Sequence, residues 1–303
     1  MTQTQIFKAP ISILATALLL GTALTACKAA QTAQDAAPQI TETTTKLPPI
    51  RKALDCLPQE AAMIAAHRAT DKRWKDVAEN SLTSLKKLIR HGTLMAELDV
   101  AGLKDDTLIS FHDGVWDEIS TGKGPIAVST KSDLDTILLK SRAGKLTADR
   151  PPLFTDMLKT AKGKLYLEVA FKSSANPADV IRAIRDADMA DQVLLIAYNP
   201  KQAAQFERLA PEMLRSNPPE AAKAGHAVWL GYGVANGNGR EAQRLKRKGN
   251  IIIGRIGDPN RQPPLTKLTN AADILVSDYA QKRDAMIGLN GQGHTEYQAC
   301  MER

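Results

Sequence analysis

Aromatic residues are scarce in this sequence, which has three Trp, five Tyr and five Phe among 303 residues. The net charge of +7 is spread along helix-like stretches, such as the one with Lys86, Lys87 and Arg90, without aromatic residues between the basic ones. Because nucleic-acid sites stack bases on aromatic side chains, this pattern indicates solvated helical faces and no nucleic-acid partner. A dinucleotide-binding turn is also excluded, since no G-x-G-x-x-G segment joins a strand to a helix.

No apolar run is long enough to cross a bilayer. The candidate at residues 11–20, followed by small residues up to Cys27, is too short for a membrane span. With the single Lys8 before it, this run predicts a secretory signal over residues 1–26. The scarcity of aromatic residues and the lack of a long amphipathic helix offer no second membrane anchor.

The residues just before the first cysteine, Leu24-Thr25-Ala26-Cys27, resemble the bacterial lipobox. That resemblance implies that Cys27 is lipid-modified and becomes the N-terminus. The alternative is an ordinary secreted protein with a free or paired thiol at Cys27. In lipoproteins the residue after the cysteine influences sorting, and an aspartate there resembles an inner-membrane retention signal. Lys28 occupies this position instead. We therefore expect the protein in the cell envelope, anchored by lipid in the outer membrane and facing the periplasm.

Residues 27–50 are rich in Ala, Thr, Gln and Pro and contain almost no large apolar side chains. Such a segment cannot bury enough surface to fold, so we expect a flexible tether after Cys27. The remaining residues, 51–303, are not split by an internal linker, and their number suits one α/β domain.

Short apolar runs alternate with helix-like segments in this part of the chain, as in repeated βα units with a parallel sheet. Eight such runs predict a single (β/α)8 TIM barrel. Residues 213–216 are an alternative to 227–232 for the sixth strand. The predicted strands are 63–66, 94–100, 108–111, 164–169, 193–198, 227–232, 250–256 and 274–277.

Beyond Cys27 the sequence has two cysteines, Cys56 just before the first predicted strand and Cys300 near the end. A closed barrel brings its termini together, and an exported compartment permits oxidation. We therefore predict a disulfide between Cys56 and Cys300, with two unpaired buried thiols as the alternative.

Polar residues lie at the ends of the first three predicted strands. His67 and Arg68 follow the first, Glu97 and Asp99 end the second, and His112 follows the third. In a (β/α)8 barrel the carboxyl ends of the strands build the active face, so such residues indicate catalysis rather than structure.

Three carboxylates at strand ends, Glu97, Asp99 and Glu168, could together hold one hard divalent cation. Ligation by oxygen alone suits Ca or Mg rather than Zn. The alternative is that Glu97 is an ordinary barrel carboxylate paired with a neighbouring Lys or Arg.

The two histidines, His67 and His112, titrate near neutrality and could serve as proton acceptor and donor on either side of a phosphodiester. Arg68 can make a bidentate contact to phosphate, and Lys172 could add a second positive charge. A salt bridge from Arg68 to Glu79 or Glu97 is the structural alternative. Phosphate is the substrate group that this set of charges favours.

These motifs resemble, in order and spacing, those of the glycerophosphodiester phosphodiesterase family over roughly residues 60–285. The early motifs match strongly up to residue 124 and the rest loosely. The matching segments are Ile64-Ala65-Ala66-His67-Arg68-Ala69, Ala78-Glu79-Asn80-Ser81, Ala96-Glu97-Leu98-Asp99-Val100, Ser110-Phe111-His112-Asp113-Gly114 with Ser120-Thr121-Gly122-Lys123-Gly124, Leu165-Tyr166-Leu167-Glu168 and Ile274-Leu275-Val276-Ser277-Asp278-Tyr279.

The resemblance implies a (β/α)8 barrel that hydrolyses glycerophosphodiesters to glycerol phosphate and an alcohol with the help of a divalent metal. It assigns acid/base catalysis to His67 and His112 and phosphate binding to Arg68. The metal ligands would be Glu97, Asp99 and Glu168, and the site would be supported by Glu79 and Asn80.

The sequence departs from the family pattern at three positions. Ala69 stands in place of the glycine after the His-Arg pair, and Ala78 in place of a proline. Ala170 replaces the lysine that the family has two residues after the glutamate, and Lys172 stands two residues further on. A shift of two residues keeps the side chain on the same face if the strand continues. Two functions therefore remain as alternatives: a related phosphodiesterase acting on a sugar-phosphate or lysophospholipid diester, and a non-catalytic envelope lipoprotein that binds a ligand.

Overall fold

The computed structural model describes residues 47–58, 61–234, 239–257, 271–280, 289 and 291–303. The predicted signal segment and Cys27 lie outside the described residues, so lipid modification stays a prediction. Among the residues that are described, no helix combines the length and the apolar character needed to cross a membrane.

Nine strands and seven α-helices are present in the described ranges. The strands are β1 (Met63–Ala66), β2 (Met95–Gly102), β3 (Leu108–Ser110), β4 (Tyr166–Phe171), β5 (Val193–Ile196), β6 (Leu214–Asn217), β7 (Ala227–Gly231), β8 (Ile251–Ile256) and β9 (Ile274–Ser277). The helices are α1 (Ile50–Asp55), α2 (Leu82–His91), α3 (Phe154–Ala161), α4 (Pro177–Asp186), α5 (Pro200–Leu209), α6 (Gly239–Lys246) and α7 (Gly291–Glu302).

All strands except β3 are parallel and follow the order β1-β9-β8-β7-β6-β5-β4-β2. The sheet closes on itself because β1 also pairs with β2, with Ala65 opposite Met95. The prediction of an eight-stranded (β/α)8 barrel is thereby confirmed.

One of the predicted strands was assigned wrongly, and one barrel strand was predicted only as an alternative. The run at 108–111 forms β3, which pairs antiparallel with the far end of β2 and takes no part in the barrel. Only five residues separate β2 from β3, whereas a parallel crossover needs a dozen or more. Residues 213–216, predicted as an alternative to 227–232, correspond to β6, which lies between β5 and β7. Both segments are therefore barrel strands, and β6 completes the eight.

Side chains alternate between the barrel interior and the surrounding helices. Met63, Met95 and Tyr166 point inward and share one buried cluster, which α1 closes at the amino-terminal end of the barrel. This apolar floor begins before α1, in the last residues of the predicted tether. Leu47 is buried there, and the carbonyl of Pro48 accepts a hydrogen bond of 2.8 Å from the Tyr166 hydroxyl.

Helix α2, between β1 and β2, shows how local sequence sets these elements. Its apolar residues recur at three-to-four spacing, and Leu85 and Leu88 are buried. The Ser81 hydroxyl caps the start by accepting from the Ser84 amide at 3.1 Å. Gly92 ends the helix with φ 79°, a left-handed conformation that costs glycine little.

A disulfide joins Cys56 and Cys300, with the two Cα atoms 5.7 Å apart. It links the end of α1 to α7. The pairing predicted from the cysteine positions is thus present.

Residues 112–152 form an irregular connection between β3 and α3, which we call the β3–α3 segment. It has a small core of its own, where Trp116 packs on Phe111, the residue just before the segment, with ring centroids 4.8 Å apart. Isolated bridges, such as Lys140 with Leu146, give the segment a hairpin-like tip.

Candidate active site

The predicted acidic residues lie inside the barrel near the carboxyl ends of the strands. Glu97 and Asp99 continue the inward-facing row that begins at Met95, because side chains two apart share one face. Glu168 on β4 stands directly beside Glu97 in the strand register. The three carboxylates therefore lie on two neighbouring strands, β2 and β4, at the same end of the barrel.

His67 lies immediately after β1 and is held by Asp278, which lies immediately after β9. The His67 Nδ1 is 2.7 Å from the Asp278 carboxylate. The bond to His67 and the charges of Arg142 and Arg255 keep the pKa of Asp278 below its usual range, so the carboxylate is ionised and accepts the proton that Nδ1 carries. Arg255 Nη2 lies 3.0 Å from the same nitrogen and 3.4 Å from Asp278 Oδ1, and with Nδ1 protonated it donates to the carboxylate. The second nitrogen, Nε2, is thus the one that can exchange a proton.

Burial lowers the pKa of His67, and the nearby charges of Arg255 and Arg68 lower it further, against the opposing effect of Asp278. The imidazole is therefore neutral at neutral pH. A neutral ring with a fixed Nδ1–H is the form in which histidine accepts a proton.

His112 is fixed in the same way by its own neighbours. Its Nδ1 lies 2.5 Å from the Asp113 carboxylate, and its Nε2 lies 2.8 Å from Nη2 of Arg68. Because a guanidinium only donates, Nε2 must be the acceptor and Nδ1 must carry the proton.

Arg68 is the centre of this half of the site. Its backbone amide donates to Glu97 at 2.8 Å, and its Nη1 donates to Glu79 at 2.6 Å. The salt bridge considered as an alternative role for Arg68 is therefore formed with Glu79. Arg68 and Ala69 both adopt left-handed backbone conformations, with φ 53° and 49°, at the point where the family pattern has glycine after the His-Arg pair.

Asp99 is the best-satisfied of the three carboxylates. It accepts from Asn80 Nδ2 at 2.9 Å and pairs with Lys172 Nζ at 2.8 Å. The Lys172 amide donates to the carbonyl of Val100 at 2.8 Å, so the pairing of β4 with β2 continues one residue further. The displaced lysine therefore does reach the site, where Asp99 holds it.

Glu168 is the least satisfied. It is fully buried, and neither carboxylate oxygen has a partner among the described residues. Burial raises the pKa of Glu168 to about 8. Burial and the neighbouring Asp99 also raise the pKa of Glu97. Two adjacent carboxyl groups thus lack the positive charge that would keep them ionised.

In the described ranges, no three His, Cys, Asp or Glu side chains converge closely enough to hold a metal ion. Asp99, one of the three predicted ligands, is paired with Lys172. The charge balance of the site nevertheless favours binding of a cation, because the site has two more acidic than basic side chains. The acidic ones are Glu79, Glu97, Asp99, Asp113, Glu168 and Asp278, and the basic ones are Arg68, Arg142, Lys172 and Arg255.

Three residues of the site were missed by sequence reasoning: Asp278, Arg255 and Arg142. Asp278 follows β9 as His67 follows β1, so the strand-end rule could have found it. Arg255 Nη2 lies 3.0 Å from His67 Nδ1, and it continues the inward row on β8 after Ile253. Arg142 comes from the irregular β3–α3 segment, and no periodicity marks it.

A family model described as the glycerophosphoryl diester phosphodiesterase family matches residues 67–214. A curated relative from Caldanaerobacter subterraneus subsp. tengcongensis, named glycerophosphodiester phosphodiesterase, is 23% identical over 158 residues. The match covers 50% of this chain and 64% of the relative, so the chain spans just under two thirds of that relative's length.

Solved structures share the fold. A glycerophosphoryl diester phosphodiesterase from Parabacteroides distasonis superimposes with a TM-score of 0.65 at 17% identity, covering 77% of this chain and 90% of the other. An Oleispira antarctica phosphodiesterase, in complex with the product sn-glycerol-3-phosphate, gives a TM-score of 0.59 at 19% identity over 83% of this chain and 99% of the other.

Proposed function

This chain belongs to the glycerophosphoryl diester phosphodiesterase family through residues 67–214, and on that premise we propose that it hydrolyses glycerophosphodiesters to glycerol phosphate and an alcohol. The observation that carries the proposal is the pair of carboxylate-held histidines with Arg68 between them. A site that only bound a ligand would not need two imidazoles with fixed tautomers.

We assign the base role to His67 and the acid role to His112, whose Nε2 first takes up a proton from solvent in place of its contact with Arg68. His67, neutral and with Nε2 available, accepts the proton of the attacking hydroxyl, which comes from water or from the glycerol of the substrate. A P–O bond forms to that oxygen and the P–O bond to the leaving alcohol breaks. If the glycerol hydroxyl attacks, the product of this step is a cyclic phosphate, which a water molecule then opens to glycerol phosphate. His112, protonated on Nε2, gives its proton to the leaving oxygen.

Arg68 fits phosphate binding under this scheme. When Nε2 of His112 is protonated it can no longer accept from Arg68 Nη2. That donor is then available to a phosphate oxygen, where a planar guanidinium makes strong charge-assisted contacts. Lys172 provides a second positive charge next to Asp99.

Glu97 and Glu168 would hold a divalent cation, Ca or Mg, since both offer buried carboxylate oxygens whose pKa is raised by burial. Asp99 is the third proposed ligand. When bound, the cation would supply positive charge to the phosphate oxygens. The unpartnered oxygens of Glu168 are the observation that supports this fit.

The activity test measures glycerol phosphate release from glycerophosphocholine and glycerophosphoethanolamine, with Ca or Mg and with chelator. We expect metal-dependent release by the wild type and a loss of about 10²- to 10⁴-fold in kcat for His67→Ala and for His112→Ala. Full activity in both variants would overturn the acid/base roles, and no release from any diester would overturn the proposed activity.

The metal test needs no turnover. In chelator, the carboxyl of Glu168 ionises near pH 8 in the folded protein but near 4.5 when unfolded. As pH rises, the Glu168 carboxyl therefore loses its proton in the unfolded chain before it does so in the folded protein. Its contribution to the free energy of unfolding is lost as pH rises from 4.5 to 8. Saturating Ca or Mg at pH 8 should raise Tm. At a metal concentration of 100 times Kd, the expected gain in the free energy of unfolding is about 2.7 kcal/mol.

Glu168→Gln is the matched variant, because it keeps the shape and removes the charge. It should be more stable than the wild type in chelator at pH 8 and should lose the metal-dependent rise in Tm. An equal rise in both proteins would show that the metal binds elsewhere.

A further inference from the structure

Arg142 sits at the tip of the β3–α3 segment, in a tight turn whose ends are joined by the Ser141 amide and the Lys145 carbonyl at 2.8 Å. Its neighbours Ala143, Gly144 and Lys145 are exposed. The Arg142 side chain, by contrast, is only 21% exposed, because it reaches from the tip into the barrel mouth.

Every nitrogen of the Arg142 guanidinium is directed at one of two carboxylates. Nε donates to Glu79 Oε2 at 2.9 Å. Nη1 and Nη2 lie 3.3 and 3.4 Å from Oδ1 of Asp278. Of the five N–H donors of a guanidinium, at least one on each nitrogen of Arg142 thus faces a carboxylate, so the side chain bridges two protein groups.

The two carboxylates belong to opposite halves of the site. The other oxygen of Glu79 holds Arg68, which contacts His112. Asp278 holds His67. In addition to the backbone bond between His67 and Arg68, Arg142 therefore joins the two histidines through side chains. The chain of polar contacts runs Asp113–His112–Arg68–Glu79–Arg142–Asp278–His67.

We infer that Arg142 is a positioning residue that fixes the His67 half of the site relative to the His112 half. Two proton-transfer groups must act on the same phosphorus, and a displacement of about 1 Å can cost on the order of 10²-fold in rate. Glu79 and Asp278 are fixed to different parts of the barrel, and Arg142 is the side chain that contacts both.

The kinetic test rests on the proposed function. We expect Arg142→Gln to lower kcat about 10- to 100-fold with less than about threefold change in KM, since the residue acts on geometry rather than on ground-state binding. Arg142→Lys keeps the charge but cannot bridge both carboxylates, so its kcat should lie between those of Arg142→Gln and the wild type. Lys145→Gln, an exposed neighbour in the same turn, is the control and should match the wild type.

Two kinetic results would overturn the inference. Wild-type kcat in Arg142→Gln would show that the bridge is not used. Full recovery in Arg142→Lys would show that charge alone matters. Melting temperatures are measured for each variant, and Arg142→Lys provides a folded comparison if Arg142→Gln fails to fold.

A second readout does not depend on turnover. The ring ¹⁵N signals of labelled histidines, assigned with His67→Gln and His112→Gln, are compared between wild type and Arg142→Gln or Arg142→Lys at one pH. A bridge between the halves should shift the signals of both His67 and His112, although Arg142 touches neither ring. A change at His67 alone, or at neither, would overturn the inference. If the wild type released no glycerol phosphate but both signals shifted, the proposed function would fall and the inference would stand.

Discussion

At the scale of single residues, what matters is which neighbour fixes each ionisable group. His67 and His112 could be identified in the sequence because each ends an apolar run. The partner of His112, Asp113, is the next residue, whereas the partner of His67, Asp278, is 211 positions away. The Asp278 contact arises because β1 and β9 pair in register up to Ala66 and Ser277, so the residues that follow each strand meet.

We predict that Asp278→Asn lowers kcat/KM on the order of 10²-fold or more, because the charge that fixes the Nδ1–H tautomer of His67 is lost. Asp278 raises the pKa of His67, so its removal should move the acidic limb of the pH–rate profile to lower pH. A pH profile of kcat/KM checks both expectations. Asp76→Asn, at a mostly exposed carboxylate that pairs with Lys87, is the control. An unchanged profile in Asp278→Asn would contradict the role given to this carboxylate.

At the scale of elements, the wrongly assigned strand β3 shows the effect of connection length. Apolar composition alone does not distinguish a barrel strand from the second arm of a hairpin. The five residues between β2 and β3 are too few for a parallel crossover. Even so, the hairpin places His112 at the barrel mouth, since Phe111 N donates to the carbonyl of Asp99 at 3.2 Å.

The end of β2 packs tightly against the connection after β4, and Gly102 is the residue that permits it. A Cβ at Gly102 would lie 2.5 Å from the backbone oxygen of Ser174. We therefore predict that Gly102→Ala destabilises the protein by about 1–3 kcal/mol, the usual cost of overpacking. Gly114→Ala, where a Cβ would meet nothing within 4 Å, is the matched control. Urea unfolding of both variants measures the difference, and equal stability would show that the two segments can separate without cost.

At the scale of the whole molecule, the barrel is closed twice. The sheet closes through the pairing of β1 with both β2 and β9, and the disulfide from Cys56 to Cys300 joins residues 244 positions apart. The covalent link is near the floor under the barrel, since Cys56 packs against the same inner cluster as Met63 and Met95. The active face is at the other end of the strands.

We predict that Cys56→Ser with Cys300→Ser lowers the free energy of unfolding by about 2–5 kcal/mol, because the unfolded chain gains conformational freedom. The rate of catalysis at 25 °C should not change, given the distance of the disulfide from the strand ends that hold the site. Denaturant unfolding with and without reductant tests this. Reductant should bring the wild type to the stability of the double variant and leave the variant unaffected; a wild type indifferent to reductant would contradict the prediction.

The sequence by itself determined the barrel class and the types of polar residue at the carboxyl ends of its strands. Strand periodicity set which side chains face inward, and the residue types at strand ends supplied His67, Arg68, Glu97, Asp99, His112 and Glu168. These features are local, because side-chain direction alternates along a strand and each polar residue follows its own apolar run.

Only the tertiary structure decided which strands close the barrel and which charges pair. Asp278 meets His67 across 211 positions and Arg142 meets Asp278 across 136, while Lys172 turns to Asp99 on the neighbouring strand. No sequence pattern encodes such pairs, because they depend on sheet closure and on the path of the β3–α3 segment. The two histidines become one site only when the closed sheet brings the ends of β1, β2 and β9 to the same face.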